Sequence, residues 1–117
     1  MEKRVMNAEK AIINFLFDLG ILPNIKGYEY IKEAFKIIVD SKKQKTQMGI
    51  TTYLYPTLEK KFGERTSRIE KAIRYAIIQA HKKNKEQMAT IVPQWGNHRP
   101  TNSEFLTTIA EIYLMKM

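Results

Sequence analysis

Apolar residues recur every three or four positions along most of the 117-residue chain, the spacing that gathers them on one side of an α-helix. No apolar–polar alternation runs long enough to suggest a half-buried strand. The pattern therefore predicts an all-α fold of about six helices separated by short punctuated turns. A first helix is expected over 7–19, capped by Asn7, with Ile12, Ile13, Phe15, Leu16 and Leu19 on a broad apolar face. Gly20 suits the left-handed position that ends a helix. Pro23 and Gly27 interrupt the connector "ILPNIKG". A second helix follows over about 27–39, with Tyr28, Ile31, Phe35 and Ile38 or Val39 facing inward.

The stretch "DSKKQKTQMG", 40–49, loses periodicity and reads as a solvated loop or the frayed end of the second helix. Its Lys42, Lys43 and Lys45 suit either a DNA backbone or plain solvent. A third helix is expected over about 52–62. Pro56 must lie in its first turn or begin the helix outright, because an interior proline costs about 3 kcal/mol. The fourth helix covers about 67–83, and a shorter fifth, 85–91, starts at Asn84. "VPQWGNHRP" is an irregular loop in which Trp95 reads as a plug beneath the loop. Thr101 opens the last helix, with Glu104 at capping-box spacing and with Ile109, Ile112 and Tyr113 as its buried side. Tyr28, Tyr30, Tyr53 and Tyr55 fall at helix-compatible positions and read as packing groups.

The fourth helix separates its side chains most sharply. At 100° per residue, Ile69, Ala72, Ile73, Ala76, Ile77 and Ala80 fall on one side, and Lys71, Arg74, Tyr75, Ile78 and Lys82 on the other. Helix three ends at Phe62, Gly63 turns, and helix four begins near Ser67. That is helix-turn-helix spacing, in which the second helix enters the major groove. Leu58, Phe62, Ile69 and Ala72 meet the apolar expectations of the motif. Glu59 stands where a small residue is usual, and Glu64 where an apolar turn residue is usual.

Charge sharpens this picture. Twenty Lys and Arg against twelve Asp and Glu give a net charge of +8, with a pI near 9.7, which favours a polyanionic partner. Residues 60–83 alone hold eight basic side chains against Glu64 and Glu70. An ordinary solvated face mixes signs so that i,i+4 pairs form. Lys60, Arg65 and Lys82 join the candidates for phosphate contact. Glu70, three residues after Ser67, is placed equally well for a capping box or for accepting a bond from cytosine N4.

Other classes lose ground on composition. A hydrophobic content of 44% and a charged content of 27% fit one folded domain over 1–117, with 1–6 a linker or frayed start. With no Cys there is neither a disulfide nor a thiolate metal site. His81 and His98 stand too far apart to suggest a metal centre. No nucleophile has a positioned base, and no glycine-rich phosphate loop occurs. The expectation is a protein that is not an enzyme and uses no cofactor and no metal. No apolar run approaches the ~20 residues of a membrane span and no signal-peptide core is present, so neither a membrane partner nor export is expected and the chain is read as cytoplasmic.

Three stretches carry a family likeness. "GYEYIKEA", "YLYPTLEKKFGERTSRIEKAIRYAI" and "RPTNSEFLTTIAE" closely resemble the C-terminal effector domain of the stage-zero sporulation master regulator of endospore-forming bacteria, over about residues 11–113. The resemblance implies an all-helical domain with a central helix-turn-helix that binds a TGTCGAA-type box in double-stranded promoter DNA and regulates transcription. It implies base contacts from Glu70, Lys71 and Arg74, and phosphate contacts near Ser67 and Arg68. It also implies paired boxes, hence homodimers on DNA, and a contact with the RNA polymerase sigma subunit.

This sequence departs from the family in four ways. Lys71 replaces a usual Arg, turning a bidentate donor into a point charge. Tyr75 replaces a usual His, which bears on a flanking contact. The stretch between helix four and "PTNSEF", which in the family includes the sigma-contacting surface, is a few residues shorter. Family members also carry an N-terminal phosphoacceptor receiver domain, which this sequence does not include. The rival reading is a protein-interaction module that binds an acidic partner without reading DNA sequence.

Overall fold

The computed structural model describes residues 8–43 and 50–116. The expected Asn7 cap, the start at 1–6 and Lys45 lie outside the described residues. Among the described residues the fold is all-α, with six helices: α1 (Ala8–Asp18), α2 (Tyr28–Lys43), α3 (Tyr55–Phe62), α4 (Thr66–Lys83), α5 (Lys85–Ile91) and α6 (Asn102–Met115). Single turns of π-helix (Ile50–Leu54) and 3₁₀-helix (Pro93–Gly96) precede α3 and follow α5. Among the described residues no helix is long and apolar enough to cross a membrane.

The apolar periodicity placed the helices well, and the differences have local causes. Helix two does not stop at residue 39; Asp40–Lys43 continue it, and Lys42 is held by Glu111 of α6 at 3.5 Å. The third helix begins as a π-helical turn, and Pro56 sits in the first turn of the α-helical part, as its missing N–H requires. Asn84 stands at the cap position of α5 without capping it. Its side-chain amide instead donates to the Leu19 carbonyl at 2.8 Å, tying the α4–α5 junction to the end of α1. Gly20, at φ +80°, takes the left-handed conformation expected of it.

Helix α2 runs through the middle, packing against α1, α4 and α6. Its Tyr28, Ile31, Ala34, Phe35, Ile38 and Val39 are buried. Phe105, Leu106, Ile109 and Ala110 form the buried side of α6, while Ile112 and Tyr113 are only half-buried. The Thr101–Glu104 capping box forms in both directions, at 2.9 and 3.1 Å. Trp95 is a plug, 4% exposed and stacked on Phe105 with ring centroids 5.8 Å apart. His81 Nε2 donates to the Trp95 carbonyl at 2.9 Å and fastens this turn to α4. Of the four tyrosines read as packing groups, Tyr53 is the exception, at 52% exposed.

Helix α3 is fixed to this frame at its far end. Phe62 meets the Tyr30 ring edge-on at 4.9 Å, and Lys61 lies 4.0 Å from Glu33 of α2. The turn into α4 therefore starts from an anchored point.

Candidate nucleic-acid interface

The α3–α4 turn is three residues long. Gly63 has φ +63° and closes α3 by donating its N–H to the Glu59 carbonyl at 2.8 Å. A left-handed residue here costs an L-amino acid roughly 1–2 kcal/mol, which glycine escapes. Arg65 is extended and begins α4 without a side-chain cap. The cap comes from across the turn: both the Thr66 N–H and its hydroxyl donate to Glu59 Oε2, each at 2.7 Å. Glu59, the residue that broke the motif pattern, is what holds the N-terminus of α4. The other exception, Glu64, faces Arg68 at 3.8 Å rather than filling an apolar turn site.

This cap titrates. The Thr66 hydroxyl and then the Thr66 N–H hold the Glu59 carboxyl below its ordinary value. A depressed carboxylate contributes stability above its unfolded-state pKa and loses it as pH falls through the folded value. Wild type is therefore expected to exceed Glu59→Gln in urea midpoint at neutral pH. The gap should close on acidification below the usual carboxylate range. A gap unchanged down to pH 3 would remove the charged cap from the account.

The six side chains that the wheel turned inward, Ile69, Ala72, Ile73, Ala76, Ile77 and Ala80, are the buried residues of α4. The opposite side presents Ser67, Lys71, Arg74, Tyr75 and Lys82, all exposed, with Tyr75 at 57%. Ile78 is half-buried. Among the described residues neither Lys71 nor Arg74 has a carboxylate partner. Ser67 is the second residue of the helix rather than its cap, so the alternative of a Ser67–Glu70 capping box falls away.

Two open clefts flank this exposed side. One, beside the turn, is lined by Pro56, Lys60, Arg65 and Arg68 with Glu59 and Glu64. The other lies between α4 and the start of α6 and is lined by Glu70, Arg74, Tyr55 and the segment Arg99–Ser103. Arg74 and Arg68 leave α4 about 120° apart around its axis, one toward each cleft. Glu70 is thus half-buried on the flank that faces α6, not at the crest of the helix.

Residues 12–112 match the family model described as the C-terminal domain of sporulation initiation factor Spo0A. The chain belongs to this family. The Spo0A C-terminal domain is a non-catalytic DNA-binding module, so the chain is a DNA-binding transcriptional regulator of this family and not an enzyme.

Within that family frame, two groups of site residues escaped the sequence. Asn102 Nδ2 donates to the Glu70 carbonyl at 3.1 Å and reaches the Tyr55 hydroxyl at 3.4 Å. One amide thus ties α6 and α3 to the flank of α4 that carries Glu70 and Arg74. Asn102 lies inside the quoted "PTNSEF", but nothing local announces a partner 32 residues away. Glu59 was visible only as a misfit, and a carboxylate seven residues before a Thr is not a capping spacing that helices use internally.

Proposed function

We propose that this domain regulates promoters in the cytoplasm by reading a TGTCGAA-type box with α4 laid in the major groove. Residues 1–117 act as one helix-turn-helix domain in this reading, with α3 braced across the backbone. Arg74 bonds guanine O6 and N7 together, Glu70 accepts from cytosine N4, and Lys71 adds a single charged donor to a base edge. Tyr75 lies against a flanking base or sugar. Ser67 and Arg68 at the helix start, with Lys60, Arg65 and Lys82, meet phosphates, which fix register without carrying sequence. Paired boxes bring two copies together. The exposed Lys85, Glu86 and Gln87 of α5 are the side chains offered to the RNA polymerase sigma subunit.

The observation that carries this reading is the state of Lys71 and Arg74. Both are exposed on a helix whose other side is core, and neither has a carboxylate partner among the described residues. Selection of bound duplexes from a random pool tests it directly. A recovered box with a fixed repeat spacing is expected; recovery of unenriched sequences would leave only nonspecific binding. No duplex binding even in dilute salt would instead favour the interaction-module alternative.

The phosphate contacts give a second expectation. Lys60→Ala or Lys82→Ala should weaken cognate and scrambled duplexes by the same factor. Each should also lower the slope of log affinity against log salt by about 0.9. A change confined to the cognate duplex would move that lysine to the base-reading set.

A further inference from the structure

A helix lying in the major groove has a phosphate backbone on either side, because the groove is about 12 Å wide and walled by both strands. The cleft beside the turn supplies one basic shoulder to α4, from Lys60, Arg65 and Arg68. On the opposite flank the proposed contacts name none, yet the fold builds a second cleft there of about 560 Å³. Arg99 lines it, is exposed, and has no carboxylate partner among the described residues. Arg74 lines it as well, and Tyr55, Asn102 and Ser103 add neutral polar groups, against the single carboxylate of Glu70.

We infer that Arg99 is a DNA-binding residue that holds a phosphate of the strand opposite the one gripped by Lys60, so that the duplex is clamped from both sides of α4. The inference rests on the reading of α4 as the groove-entering helix. The geometry gives it two supports. The two clefts lie on different flanks of one helix, with Arg68 and Arg74 about 120° apart on it. The Arg99 segment is not loose, because Asn102 fastens it to the Glu70 carbonyl at 3.1 Å and the Thr101–Glu104 box closes the turn beside it.

Glu70 repels a phosphate placed deep in the cleft, so the contact belongs at the outer rim, at Arg99. This separates the roles proposed for the residues of this cleft: Arg74 and Glu70 serve base edges, and Arg99 the backbone.

The test uses the duplex recovered by selection, with each phosphate in turn replaced by a neutral methylphosphonate. Affinities are measured for wild type, Arg99→Ala, Arg99→Lys and Lys60→Ala, with melting curves confirming that all are folded. Wild type should be weakened by substitutions on both strands. Arg99→Ala should lose sensitivity on one strand only, lower the salt slope by about 0.9, and weaken cognate and scrambled duplexes alike. Arg99→Lys should restore the slope, and Lys60→Ala should lose sensitivity on the other strand. A folded Arg99→Ala with wild-type slope and sensitivity would overturn the clamp. So would loss at the same phosphate as Lys60→Ala, or loss of affinity for the cognate duplex alone. If wild type fails to prefer the selected duplex over a scrambled one, the reading of α4 fails first and the clamp with it.

Discussion

Replacing Gly27 with alanine is expected to destabilise the protein by about 1–3 kcal/mol, the usual cost of forcing an extra methyl into a packed site. A Cβ at that position would stand 2.5 Å from the Ala72 carbonyl oxygen, 2.9 Å from its carbon and 3.2 Å from the Ile73 Cα. These are backbone atoms of α4, so no side chain can rotate away. The sequence pattern marks Gly27 as a helix breaker, but its residue is buried and its carbonyl accepts from Ile31 N–H at 2.9 Å as the start of α2. The glycine is needed for space: it lets the beginning of α2 lie directly against the middle of α4. A methyl there must push α4 outward, so duplex affinity per folded molecule should fall along with the urea midpoint.

Gly63→Ala is the control that separates space from conformation. A Cβ on Gly63 meets nothing within 4 Å, yet the residue sits at φ +63°. Its cost is conformational, roughly 1–2 kcal/mol, and Asn, which tolerates the left-handed region, should recover part of it. Gly27→Asn should recover nothing. Equal stability for wild type and Gly27→Ala would mean that the α2–α4 approach is looser than the structure shows.

The two glycines mark where the sequence stops being legible. Everything set by period was readable: the six helices, the buried side of α4 from Ile69 to Ala80, and the Thr101–Glu104 cap, whose partners are three residues apart. Gly63 was readable because a left-handed turn after Phe62 is a local demand. Gly27 was not, because its reason lies 45 positions away in Ala72. Asn84 and Asn102 follow the same rule. Each looks like a helix-start residue, and each spends its amide on a carbonyl of another helix, at Leu19 and Glu70. The candidate site divides likewise. Charge and periodicity select the exposed side of α4. They cannot show that Glu70 sits on a flank, that Glu59 caps the helix, or that Arg99 shares a cleft with Arg74, because these depend on how α3 and α6 pack around it.

Arg74→Ala is expected to weaken binding to the selected duplex by about 1–3 kcal/mol, from fivefold to more than a hundredfold, and to relax the preference at one base pair. Folding stability should change by less than about 0.5 kcal/mol, since the side chain is exposed and unpaired among the described residues. The physical reason for specificity is the fork: a guanidinium presents two parallel donors that match guanine O6 and N7 together, and no other base edge offers that pair. Arg74→Lys separates the fork from the charge. It keeps the attraction to DNA, so affinity for scrambled duplex should stay near wild type, while discrimination at the one base pair drops toward that of Arg74→Ala. Lys71, already a point charge with a single donor to offer a base edge, should show a weaker form of the same effect, with Lys71→Ala costing less discrimination than Arg74→Ala. Were Arg74→Ala to lower cognate and scrambled binding by one common factor, the guanidinium would be a backbone contact, and the base reading would have to come from Lys71 and Glu70 alone.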